Sequence, residues 1–152
     1  MLKGPLTHPT LIGALAAAGH GSKVLIADGN YPHSTGARQG AVRIHLNLRP
    51  GLLNVDDVLD VLVQVIPIEA AAVMVPESGE KVHAHEPYRQ ALAQDVAWSE
   101  LGRFEFYDEC RTDDVAIVIA TGEQRLYANL LLTGMRHQVN TTSITGGLSY
   151  AF

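Results

Sequence analysis

The stretch Lys23-Val24-Leu25-Ile26-Ala27-Asp28 decides the fold class of this 152-residue chain. Four apolar residues stand in a row between turn signals, which is typical of a strand buried on both faces of a sheet. The runs from Ala71 to Val75 and from Val115 to Ala120 repeat that pattern, and Val42 to Leu46 alternates as a half-buried strand does. Together these runs predict the interior of a sheet that is covered on both sides.

Helical patterns separate the predicted strands. The apolar spacing and the capping residues predict helices over about 9–18, 54–66, 87–95 and 100–110. A last strand is predicted at 126–132, hairpinned onto the preceding strand through 121–124. Alternating helices and buried strands predict an α/β fold, as a single three-layer domain with a mixed, mostly parallel sheet flanked by helices. We assign residues 1–140 to this domain and expect residues 141–152 to form a C-terminal tail.

The composition excludes several classes of protein. Hydrophobic residues make up 47% and charged residues 18%, so the chain is not intrinsically disordered. The net charge is −5 and no basic run is present, which excludes nucleic acid as a partner. No apolar stretch reaches the ~18–20 residues that span a bilayer, so no membrane association is expected. The low charged fraction indicates surface covered by other subunits, and the single cysteine, Cys110, favours the reducing cytoplasm.

The first candidate for chemistry is Gly19-His20-Gly21 before the first buried strand, with Asp28 at the end of that strand. Open α/β sheets bind ligands beyond the carboxyl ends of their strands, which favours Asp28 as a ligand contact. An imidazole between two glycines is accessible and can both give and take a proton near neutrality. The alternative is a turn histidine and a capping aspartate, and the pattern leaves both interpretations open.

A second candidate is Thr121-Gly122-Glu123 followed by Tyr127-Ala128-Asn129. On a strand, Tyr127 and Asn129 would face the same side and present a hydroxyl and an amide together. Such a pair suits a polyhydroxylated ligand. The exposed face of an edge strand is an equally good interpretation of the pattern.

The third candidate is Arg103-Phe104-Glu105-Phe106-Tyr107. On a helix, Arg103 and Tyr107 share one face, where the guanidinium could reach a sugar oxygen. Phe104 and Phe106 are expected to belong to the core.

The segment His83-Ala84-His85-Glu86 raises the question of a zinc site, because two histidines two residues apart point the same way on a strand. The surrounding residues are polar and no fourth ligand is visible. We therefore expect a solvated loop without a metal.

Three common ligand motifs are missing from the sequence: the P-loop, the dinucleotide-binding glycine fingerprint and the G-x-S-x-G nucleophile elbow. The remaining candidates predict an acid/base site for a small polar ligand, with neither a cofactor nor a metal.

The candidate motifs also occur together, and in this order, in a known family. Met1 to Gly4, Gly19 to Gly21, Ile26 to Pro32, Arg103 to Tyr107, Ala120 to Glu123 and Tyr127 to Asn129 form the matching set. Over roughly residues 1–135 the chain resembles the family of L-fucose mutarotase and D-ribose pyranase. Arg103 makes it more similar to the L-fucose mutarotase branch, because the ribose branch has a histidine there.

The resemblance implies a function and a set of site residues. By position, His20 corresponds to the proton-transferring residue of the family, and Asp28, Arg103, Tyr127, Ala128 and Asn129 correspond to sugar-binding positions. The implied activity is a cofactor-free interconversion of the α and β anomers of L-fucose or a related aldose. The alternatives are ribopyranose–ribofuranose interconversion, another sugar of the same family, or a non-catalytic sugar-binding or transport-accessory protein. Members of the family form ring-shaped homo-oligomers, commonly decamers, with sites near subunit boundaries.

Overall fold

The computed structural model describes residues 1–134, so the predicted tail at 141–152 and the end of the predicted domain lie outside the described residues. Four helices and six strands follow one another along this part of the chain. They are α1 (Pro9–Ala17), β1 (Lys23–Ala27), β2 (Val42–His45), α2 (Val55–Leu62), β3 (Ile68–Val75), α3 (His85–Ala91), β4 (Ala97–Gly102), α4 (Arg103–Cys110), β5 (Val115–Ala120) and β6 (Leu130–Gly134).

The six strands form one sheet in the order β2-β5-β1-β6-β3-β4. β6 is antiparallel to both of its neighbours, β1 and β3, whereas the other three adjacent pairs are parallel. Strands β1 to β5 therefore run in one direction, and β6 alone runs against them. The predicted mixed, mostly parallel sheet is confirmed. One edge of the sheet, called here the carboxyl edge, collects the ends of β1 to β5 and the start of β6.

The predicted hairpin between the last two strands is wrong, because β1 lies between β5 and β6. After β5 the chain continues beside the segment that follows β1: the Thr121 amide donates to the Ala27 carbonyl at 3.1 Å, and the Gly29 amide donates to the Glu123 carbonyl at 2.8 Å. Residues 121–129 then cross the carboxyl edge and enter β6 at Leu130, four residues later than predicted. This connection is longer than the two to five residues that usual hairpin loops contain.

Hydrophobic residues pack on both faces of the sheet. On one face, helices α1, α2 and α3 cover alternate residues of the central strands, including Val24 and Ile26. On the other face, Leu25 and Ala27 pack against α4 and the segment that begins at Tyr31. The alternation follows from the period of two along a strand. The predicted three-layer α/β domain is confirmed for the described residues.

Two local predictions differ from the structure around the edge strand β4. A helix was predicted from about residue 100, but Ala97–Gly102 pairs in parallel with β3 and the helix begins only at Arg103. Polar residues such as Ser99 and Glu100 are exposed on this edge strand, so the sequence shows no apolar run there. The preceding helix occupies His85–Ala91 rather than about 87–95, because Pro87 is tolerated in the first turn and does not start the helix.

Helix α2 begins as its sequence predicts. The backbone amide of Asn54 donates to the Asp57 carboxylate at 2.8 Å. This is one of the two hydrogen bonds that make up a capping box. At α1, the His8 Nδ1 accepts from the Leu11 amide at 3.2 Å and caps the start of the helix.

Candidate functional site at the carboxyl edge

The carboxyl edge brings together most of the residues that the sequence proposed for sugar binding. Asp28 directly follows β1, Arg103 directly follows β4, and residues 127–129 directly precede β6. Because β6 is antiparallel to β1, its first residue lies beside the last residues of β1. Asp28 and Asn129, 101 residues apart along the chain, thus lie side by side at this edge, and Arg103 lies at the same edge after β4, three strands away from β1.

His20 lies at the opposite edge. It precedes β1, and the amide of the next residue, Gly21, donates to the carbonyl of Gly134 at the far end of β6 at 3.1 Å. β1 contains five residues, and its four rises separate His20 from Asp28 by more than about 13 Å. Within one chain, His20 and Asp28 therefore lie at opposite ends of β1.

Asp28 and Asn129 form a reciprocal pair. The Asn129 amide nitrogen donates to Asp28 Oδ2 at 3.0 Å, and the Asn129 amide oxygen accepts from the Asp28 backbone N–H at 2.8 Å. Both residues are only 3% exposed. Burial raises the pKa of the Asp28 carboxyl, although backbone amides, including that of Asn30 at 3.0 Å from Oδ1, oppose the shift. The pair presents an acidic group whose position and orientation are fixed by the backbone on both sides.

Tyr127 and Asn129 are not on a strand, and this prediction is wrong. Residues 124–129 form a turn and an irregular segment, and Tyr127 has a left-handed backbone conformation with φ 57°. The Asn129 side chain turns towards Asp28, whereas the Tyr127 side chain packs against the core on the α4 side of the sheet. Tyr127 and Asn129 still lie at the same edge of the sheet. The irregular backbone of residues 127–129 places them there, rather than the alternation of side chains along a strand.

Sequence reasoning missed the two side chains that hold this irregular segment. His85 Nε2 lies 2.9 Å from the Tyr127 carbonyl oxygen, and the Tyr88 hydroxyl donates to the Ala128 carbonyl at 2.9 Å. Both side chains come from α3 and both are buried. The prediction of a solvated loop is therefore wrong for His85, although His83 is exposed. Among residues 1–134 no group of three histidine, cysteine or acidic side chains is placed to hold a metal ion.

Arg103 and Tyr107 share one face of α4, as their spacing predicts. The Arg103 guanidinium carbon lies 5.8 Å from the centre of the Tyr107 ring, and the Tyr107 ring lies 5.4 Å from that of Tyr31. The guanidinium is exposed and available to a ligand. Phe106 is fully buried, as predicted, but Phe104 is 69% exposed and does not belong to the core. Residues two apart on a helix point to different sides, so only one of the two can pack inward.

Glu123 is a structural residue rather than a ligand contact. Its buried carboxylate accepts from the Val55 amide at 3.2 Å and from the Arg125 amide at 3.0 Å, and it pairs with the Arg125 guanidinium at 2.7 Å. Burial would raise the pKa of Glu123, but these hydrogen bonds outweigh it and hold the pKa below its usual value. Arg125 also pairs with Asp56, so the cluster ties α2 to the segment that follows β5.

Each edge of the sheet has an open cavity. A cleft of about 450 Å³ at the carboxyl edge is lined by Gly29, Asn30 and residues 47–50 and 121–124. A cavity of about 600 Å³ surrounds His20, and most of its lining is apolar. That lining includes Leu2, Ile12, Leu15, Val65 and Ile66.

None of the helices within residues 1–134 has the length and apolar character needed to cross a bilayer.

Comparison with known proteins agrees with this architecture. The fucose mutarotase of Mus musculus is 34% identical over 146 residues, covering 86% of this chain and 92% of the relative. Bacillus subtilis RbsD complexed with D-ribose superimposes with a TM-score of 0.76 at 27% identity, over 90% of this chain and 99% of that one. The Streptococcus pneumoniae fucose mutarotase in complex with L-fucose gives a TM-score of 0.76 at 25% identity, with the same coverage. The resemblance expected from the sequence motifs is confirmed. Residues 1–134, which include every helix and strand described above, match the RbsD / FucU transport protein family, and the chain belongs to that family.

Proposed function

We propose that this protein is a sugar mutarotase that interconverts the α and β anomers of L-fucose or a related aldose. The observation that carries the proposal is the joint position of Asp28, Arg103 and residues 127–129 at one edge of the sheet, in a chain 34% identical to a fucose mutarotase. These groups supply a carboxyl, a guanidinium, a phenol and an amide, which can bind the hydroxyls of a sugar in a fixed arrangement.

The reaction needs two proton movements. The hydroxyl on the anomeric carbon loses a proton while the ring oxygen gains one, and the bond between that carbon and the ring oxygen breaks to give the open-chain aldehyde. Rotation about the adjacent carbon–carbon bond presents the other face of the carbonyl, and closure reverses the proton movements. Positioned acid/base groups contribute about 10²–10⁴-fold to such a step. In the proposed mechanism His20 gives and takes the proton, whereas Asp28, Arg103, Tyr127, the Ala128 backbone and Asn129 hold the sugar hydroxyls.

The proposed site is shared between two copies of the chain. The support is geometric: β1 separates His20 from Asp28 by more than about 13 Å, which favours their supply to one sugar by two different copies. The apolar lining around His20 and the 18% charged composition favour burial of that surface against a neighbour. We therefore propose a homo-oligomer, and specifically a ring such as a decamer, in which His20 of one subunit faces the carboxyl edge of the next.

The proposed compartment is the cytoplasm. Cys110 is the only cysteine, and it is buried at the end of α4. Burial raises the pKa of its thiol to about 12, so it remains a protonated apolar side chain. A chain without a disulfide does not require an oxidising compartment for its stability.

The second candidate activity is the interconversion of ribopyranose and ribofuranose. It is favoured by the structural similarity to RbsD complexed with D-ribose. The exposed Arg103 at the start of α4 is the residue that we expect to favour L-fucose over D-ribose.

Saturation-transfer NMR of anomeric protons tests both candidates on L-fucose, D-ribose, D-galactose and D-arabinose. We expect faster anomer exchange for L-fucose, and loss of that acceleration in His20→Ala. The matched control is His83→Ala, which removes an exposed imidazole that lines neither the cavity at His20 nor the cleft at the carboxyl edge. Acceleration of ribose exchange alone would replace the first candidate by the second, and unchanged exchange for every sugar would exclude both.

A mixing experiment tests the shared site. His20→Ala and Arg103→Ala are each expected to be inactive, and both replace exposed side chains, so neither should disturb folding. If each site takes His20 from one subunit and Arg103 from another, random co-assembly of the two variants gives about a quarter of the sites with both native residues. Co-assembled oligomers without recovered activity would exclude a shared site, and a monomer in sedimentation would exclude the ring.

A further inference from the structure

The segment that carries Tyr127, Ala128 and Asn129 has almost no backbone support of its own. Among residues 1–134, no backbone–backbone hydrogen bond outside the helices and strands involves residues 124–129. Residues 127–129 are held by hydrogen bonds to side chains instead. These contacts are His85 to the Tyr127 carbonyl, Tyr88 to the Ala128 carbonyl and Asp28 to the Asn129 amide.

The hydrogen bond to the Tyr127 carbonyl holds a backbone conformation that Tyr127 would not favour by itself. With φ at 57°, Tyr127 adopts a left-handed conformation that side chains other than glycine, asparagine and aspartate rarely take. Such a conformation persists only where the surroundings impose it. A hydrogen bond to the Tyr127 carbonyl acts directly on the peptide that must be held in this orientation.

His85 is well fixed for this task. It is 8% exposed, and its ring lies 6.2 Å from those of Tyr88 and Trp98. Because a carbonyl oxygen can only accept, the His85 Nε2 must carry the proton. The His85 ring also lines a cavity of about 320 Å³, together with Lys81, Arg89 and Glu100.

We propose that His85 is a positioning residue for the sugar site, which fixes the Tyr127 carbonyl and thereby aims the Tyr127 and Asn129 side chains at the substrate. Tyr88 performs the same task one residue later. The inference rests on the proposed function for its effect on catalysis, but the hydrogen bond itself can be measured without substrate. His85 does not touch the reacting atoms in this scheme, so it affects how the sugar is held rather than how the proton moves.

A set of four variants separates positioning from a general contribution to stability. His85→Leu and Tyr88→Phe remove the donors, whereas His85→Gln can place an amide N–H near the position of Nε2. Leu92→Val is the control, because it trims a buried apolar residue at the end of the same helix whose side chain donates no hydrogen bond to residues 127–129. Kinetics are followed by anomer-exchange NMR at varied L-fucose concentration.

We expect His85→Leu and Tyr88→Phe to raise KM for L-fucose about tenfold with a smaller change in kcat, because each loses one buried hydrogen bond. His85→Gln should retain KM within about twofold. Leu92→Val should lower the melting temperature without a change in KM. Equal KM values for His85→Leu and wild type, or equal increases in His85→Leu and Leu92→Val, would overturn the proposal. If His85→Leu does not fold, Tyr88→Phe and His85→Gln still decide it.

The tautomer of His85 supplies a test that is independent of activity. Long-range proton–nitrogen NMR of the wild-type protein should show the proton on Nε2, with Nδ1 unprotonated. A proton on Nδ1 alone would overturn the proposal even in an active enzyme. Conversely, an inactive wild-type protein with the Nε2 tautomer would refute the proposed function while leaving the hydrogen bond to Tyr127 intact.

Discussion

Asp28 and Asn129 are 101 positions apart in the sequence, yet each donates one hydrogen bond to the other. The pair joins the end of β1 to the start of β6, and it exists because β6 runs antiparallel beside β1. One side chain is acidic and the other is a neutral amide of similar size. This difference makes the pair sensitive to substitution and to pH.

Asn129→Asp should destabilise the protein at neutral pH and recover in mild acid. Two carboxyl groups would then lie about 3 Å apart in a buried position, which costs about 1–3 kcal/mol when both are ionised and raises the pKa of one of them. A carboxyl whose pKa is raised in the folded state binds a proton on folding, so the deficit in the free energy of unfolding shrinks as the pH falls from 7.5 to about 5. Urea unfolding at the two pH values measures this deficit.

The control for this substitution is Asn129→Ala, which removes both hydrogen bonds without adding a charge. Its deficit should change less between the two pH values than that of Asn129→Asp, because only the Asp28 carboxyl titrates there. A deficit of Asn129→Asp that changes no more with pH than that of Asn129→Ala would contradict the proposed carboxyl pair.

Glu123→Gln should weaken the decrease of the free energy of unfolding at acidic pH. The pKa of Glu123 is held below its usual value of 4.5, so the wild-type ion pair stabilises the fold above that value. The stabilisation disappears as the pH falls through the lower pKa of the folded state. We expect the variant to be about 1–3 kcal/mol less stable at pH 7, with the two curves converging once the pH falls below the pKa of Glu123 in the folded state. Glu86→Gln, an exposed carboxylate, serves as the control and should follow the wild-type curve.

Two glycine-to-alanine substitutions should have opposite effects. A Cβ on Gly122 would meet the Arg49 carbonyl oxygen at 2.4 Å and the Leu52 carbonyl oxygen at 2.6 Å, so the backbone must move. We expect a loss of more than about 2 kcal/mol. A Cβ on Gly13, inside α1, would meet nothing within 4 Å, and this substitution should gain up to about 1 kcal/mol of helix propensity. Thermal unfolding measures both, and a neutral Gly122→Ala would be incompatible with the close approach of residues 49–52.

His85→Gln should remove a pH dependence of stability near pH 6. Burial lowers the pKa of His85, while the nearby Glu100 carboxylate and the hydrogen bond to Tyr127 only partly offset it. The unfolded chain then takes up the proton more readily, so the wild-type free energy of unfolding falls as the pH drops below about 6.5 and levels off below the pKa of the folded state. His85→Gln cannot titrate and should lack this decline. His83→Gln, at an exposed position, should retain it, and identical profiles for all three proteins would show that folding does not lower the pKa of His85.

Much of the fold could be predicted from local patterns. The apolar runs in β1, β3 and β5 identified buried strands because strands covered on both faces have little room for polar side chains. The capping residues of α1 and α2 gave their starts because hydrogen bonds within one turn fix them. The edge strand β4 was missed because its exposed residues leave no apolar signature, and its pairing with β3 is a long-range contact.

Residue identity and local spacing can be taken directly from the amino-acid sequence, and they show which groups are available for chemistry, including His20, Asp28, Arg103 and Asn129. How these groups are arranged in space depends on the tertiary structure. The reversed direction of β6 brings Asn129 to Asp28 and carries the chain away to Gly134, beside His20 at the other edge. Strand order and direction depend on packing between segments far apart in the chain, which no local pattern encodes.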